Sequence, residues 1–70
     1  MSYTKRFINE ALLASRSSAI RDKEKRIKNI KTALKSVKDG EAVIELIMLI
    51  KETEYEIQQL HESITKLRFV

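Results

Sequence analysis

The chain has 70 residues, 43% apolar and 34% charged, with a single glycine, no proline, no cysteine and one histidine. That length and make-up allow one helical domain at most, exclude disulfides, and leave too few ligands for a zinc or di-metal centre. The formal net charge of +4 is unevenly shared: residues 1–39 hold 11 Lys/Arg against 4 Asp/Glu, and residues 40–70 hold 3 against 6.

The first predicted helix covers about residues 4–38. Its apolar stripe reads Ile8, Leu12, Ser15, Ala19, Ile27, Ile30, Leu34 and Val37, close to a 3.6-residue period. The middle is thin. Residues 14–19 offer only small side chains and Arg16, and Lys23 falls where an apolar residue is expected. Continuity is still expected, because no helix breaker is present and serine costs only about 0.5 kcal/mol against alanine.

A tight turn over residues 39–41 follows, with Gly40 expected to adopt the left-handed conformation that closes the first helix. Lys35 and Lys38 suit a helix C-terminus, and Glu41 suits the start of the next helix.

The second helix, about residues 42–68, has the cleaner pattern. Val43, Ile50, Ile57 and Ile64 repeat every seven residues, and Leu46, Thr53, Leu60 and Leu67 follow three positions behind them. A seam this regular is of coiled-coil type. Thr53 is its one polar member, expected to bond its own backbone one turn back. The fold class is therefore all-α, an antiparallel two-helix hairpin.

One hairpin cannot cover all of its apolar surface. Ile44, Ile47 and Met48 lie beyond the second seam, and the segment Phe7–Ala14, with Phe7, Ile8 and Leu12, is similarly rich. A helix apolar nearly all round is buried on more than one side. The two segments lie at opposite ends of the hairpin. Two hairpins packed antiparallel would bring one kind of end onto the other, as a homodimeric four-helix bundle. The competing reading is that these residues await a different protein.

Arg21, Lys25, Lys28, Lys31, Lys35 and Lys38 recur every three or four positions as a basic stripe. Two explanations stand. The spacing would suit phosphates along RNA or DNA. Or the stripe pairs with the acidic second helix, where antiparallel register would place Lys35 near Glu45, Lys28 near Glu52, Lys25 near Glu54 and Lys23 near Glu56. The aromatics Tyr3, Phe7, Tyr55 and Phe69 do not interleave with the lysines as a stacking platform would.

No catalytic constellation can be assembled. His61 sits beside Glu62, but position 58 is Gln, so the Glu-x-x-His motif of di-iron bundles is missing. An enzyme, a cofactor, a metal site and a small-molecule substrate are not expected. Nor is a membrane span: the longest apolar run, residues 42–50, contains Glu45 and is far below the roughly 20 residues required. No apolar leader follows the basic N-terminus, so cytoplasmic residence is expected.

The expected function is that of a non-enzymatic helical interaction protein. It would self-associate and bind or modulate a macromolecular partner, in the manner of the small regulators and inhibitors that phages and mobile elements encode. The alternatives are an RNA- or DNA-binding dimer using the stripe, and a structural assembly subunit. In outline the architecture resembles the small RNA-binding hairpin dimers. No residue motif carries that likeness, and architecture alone does not transfer function.

Overall fold

A computed structural model describes the backbone of residues 2–68 and the side chains of residues 5–68. It contains two helices, α1 (Ser2–Leu34) and α2 (Gly40–Arg68), packed against each other as a hairpin. The molecule is a rod of 57 × 15 × 11 Å. Helix α1 runs unbroken through the serine-rich stretch, so the small residues at 14–19 do not divide it.

The connection is longer than the predicted turn, and it is built differently. Helix α1 ends at Leu34, where Lys35 and Ser36 donate their N–H groups to the carbonyls of Thr32 and Ala33 at 3.2 and 3.0 Å. These bonds tighten the last turn and satisfy two of its free carbonyls. Asp39 then caps α2. Its carbonyl accepts the Val43 N–H at 3.0 Å and its carboxylate accepts the Glu41 N–H at 3.4 Å. Gly40 is the first residue of α2 and has no left-handed backbone, so it does not close α1 as expected.

The seam of α2 follows the sequence pattern. Ile50 and Thr53 are buried, and Val43, Leu46, Ile57, Leu60, Ile64 and Leu67 are half-buried. Thr53 is 2% exposed and its Oγ1 donates to the Leu49 carbonyl at 2.8 Å. That local bond satisfies a hydroxyl that an apolar seam could not.

The seam of α1 departs from expectation in its N-terminal half. The seam runs through Asn9, Leu13, Arg16, Ile20, Lys23, Ile27, Ile30 and Leu34, all buried or half-buried, and continues to Val37 in the connection; Ala19 of the expected stripe is half-buried at its edge. Ile8, Leu12 and Ser15 are exposed instead. The observed spacing alternates strictly between three and four residues, a heptad in which Asn9, Arg16 and Lys23 occupy every second seam position. A search for apolar recurrence passes over such polar members. It then drifts onto the neighbouring stripe, where Ile8 and Leu12 happen to lie.

The Lys23 ammonium approaches the Glu56 carboxylate at 2.7 Å and fixes the register. Matching the seam positions of the two helices outward from the connection pairs Val37 with Val43, Leu34 with Leu46, Ile30 with Ile50, Ile27 with Thr53, and Ile20 with Leu60. Further from the turn, Lys23 is level with Ile57 and Arg16 with Ile64. The half of the rod beside the turn is thus joined by aliphatic layers. The other half alternates aliphatic layers with layers that set a half-buried cation against an isoleucine, Lys23 carrying its ammonium out to Glu56.

Candidate interaction surfaces

Two kinds of surface stand out on this rod. The first is apolar. Near the turn, α2 exposes Ile44 (60%), Ile47 and Met48 (64%). Near the start of α1, Phe7 (73%), Ile8 and Leu12 are exposed. The register places Ile47 level with Ala33. The two patches therefore lie about 37 Å apart along the rod at 1.5 Å per residue. Of the aromatics, Tyr55 is also exposed, while the side chains of Tyr3 and Phe69 lie outside the described residues.

The second surface is charged. Arg21, Lys25, Lys28, Lys31, Lys35 and Lys38 are all exposed. Three of the four expected pairings with α2 do not form. Among the described residues the ion pairs are Lys23–Glu56 at 2.7 Å and Arg6–Glu10 at 3.5 Å. Lys35, Lys28 and Lys25 have no carboxylate within 4.0 Å.

Helical geometry supplies the reason. Once the seam is placed, Arg21, Lys28 and Lys31 fall on one flank of the hairpin, with Lys25 at its back edge, and the exposed Lys35 and Lys38 follow in the connection. Glu45, Glu52 and Glu56 fall on the opposite flank, together with Asp22 and Arg26. Equal height along the rod does not bring Lys35 to Glu45, because the seam stands between them. Lys23 reaches Glu56 only because it occupies the seam itself. The hydrogen bond from Lys23, aided by the ammonium's charge, holds the Glu56 carboxyl below the usual carboxylate range.

The exposed Lys51 of α2 joins the basic flank one residue from the height of Lys28. The flank's own carboxylates, Glu24 and Glu54, sit away from the turn. From Lys28 to Lys38 its charge is positive throughout.

Among the described residues no cluster of His, Cys, Asp and Glu could hold a metal ion, and His61 is exposed beside the seam. No described helix is long and apolar enough to cross a membrane. Protein-family models, curated proteins and solved structures were compared with the chain, and none matches it.

Proposed function

We propose that this chain is a non-enzymatic interaction protein, of the regulator or inhibitor type, that self-associates and engages a macromolecular partner. The observation that carries the reading is the pair of exposed apolar patches at opposite ends of one rod. An antiparallel second copy would lay Ile44, Ile47 and Met48 against the Phe7–Leu12 end twice over, around a two-fold axis. A four-helix bundle of this kind would remove from water Ile44, Ile47 and Phe7, which share one flank of the hairpin.

Sedimentation velocity at micromolar concentration tests this. The wild type should sediment at twice the 8.2 kDa chain mass, and the Ile47→Glu/Met48→Glu double variant as a monomer. A folded wild-type monomer would overturn self-association. A second reading, nucleic-acid binding, is favoured by one observation: α2's carboxylates do not meet the basic stripe.

A further inference from the structure

We infer that the basic flank of the hairpin, Arg21, Lys28 and Lys31 of α1 with Lys35 and Lys38 of the connection and Lys51 of α2, binds the phosphate backbone of a double-stranded nucleic acid without sequence preference. This rests on the reading of the chain as an interaction protein, and it names the partner.

The flank's charge is unspent inside the molecule. Among the described residues none of its cations has a carboxylate within 4.0 Å, and the acidic residues of α2 that could have neutralised it lie mostly across the seam. The helical part of the stripe, Arg21 to Lys31, spans about 15 Å, and Lys35 and Lys38 continue it in the connection. Over that length a duplex offers one negative charge per roughly 1.7 Å of its axis, a denser and more continuous array than a protein helix presents.

The residue types narrow the ligand further. Lysine can reach guanine, but its ammonium is a mobile point charge suited to phosphate, without the rigid fork with which Arg, Asn and Gln read base edges. Lysine predominates here, so a contact that ignores sequence fits. Binders of single strands stack bases on aromatic rings. Tyr55 stands on the outer edge of α2, and Phe7 lies well beyond Arg21, so no ring is interleaved with these cations.

The test is fluorescence anisotropy with labelled mixed-sequence DNA and RNA duplexes, starting at about 50 mM salt, where electrostatic binding is strong. Binding should weaken steeply as salt rises. Lys28→Gln/Lys35→Gln should weaken it about tenfold or more and flatten the log–log salt slope by about 0.9 per lysine. Arg26→Gln/Lys66→Gln, on the opposite flank, should leave affinity within about threefold. All four positions are exposed, and circular dichroism checks that helicity is retained.

Four results would overturn the inference: no binding of either duplex at 50 mM salt; equal losses from the two double variants; tighter binding of a single strand; or polyglutamate binding as tightly as the duplex, which would make the flank a site for acidic proteins. Sedimentation of the same samples keeps the readings apart. A monomer that binds duplex removes self-association and keeps this inference, and a dimer that ignores duplex does the reverse.

Discussion

Replacing Ile50 by alanine should cost far more than the same change at Ile64, although both occupy the same heptad position of α2. Ile50 is 8% exposed and level with Ile30, which is also 8% exposed. The substitution removes about three methylene equivalents at about 0.8 kcal/mol each, so the transfer loss alone is about 2.4 kcal/mol. An unfilled space facing Ile30 adds to this and places the total within the usual range of about 2–5 kcal/mol. Ile64 is only half-buried and faces Arg16, whose flexible stem can follow the smaller side chain. About half the transfer loss, near 1 kcal/mol, is expected there. Since small domains hold only about 3–5 kcal/mol in total, Ile50→Ala should remove much of the stability. Urea unfolding followed by circular dichroism at 222 nm, at one fixed chain concentration, measures both variants. An Ile64→Ala cost equal to or above that of Ile50→Ala would refute the division of the seam into a firm half and a loose half.

Four further outcomes are expected. Lys23→Leu should raise the urea midpoint by completing an aliphatic layer with Ile57, and a lowered midpoint would show that the ion pair with Glu56 matters more than seam burial. Gly40→Ala should stabilise by about 0.4–1 kcal/mol, because the backbone there is not left-handed and an added Cβ meets nothing within 4 Å; a loss in thermal unfolding would contradict this. Asp39→Ala should cost about 0.5–2 kcal/mol through the lost cap of α2, and an unchanged melting temperature would show that the 3.4 Å contact is idle. The Lys23–Glu56 bridge should fail in acid. The folded state holds the Glu56 carboxyl below its ordinary 4.5, so it binds fewer protons than the unfolded chain. The bridge's contribution is therefore complete well above that value and is lost as pH falls through the folded pKa. The stability difference between wild type and Glu56→Gln should shrink below pH 4.5, and a difference that grows in acid would be the opposite sign.

Much of this architecture could be read from residue order, for definite reasons. The seam of α2 is aliphatic at seven of eight positions, so its buried side admits one solution, and Thr53 satisfies itself locally within it. The absence of helix breakers carried α1 through its serines. Antiparallel register followed from a single short connection, which is why Lys23 and Glu56 could be matched from their numbers alone. Tertiary structure decided the rest. Helix α1 carries two adjacent stripes, one with Ile8 and Leu12, the other with Leu13 and Ile20 interrupted by Arg16 and Lys23. Local hydrophobicity prefers the first. The partner helix takes the second, because the turn-proximal layers of Ile30, Leu34 and Val37 set a seven-residue repeat that α1 must keep along its length. That choice turns Phe7, Ile8 and Leu12 outward. It also separates the lysines from Glu45 and Glu52, since height along a rod can be counted in sequence while the side of the rod depends on where the seam runs.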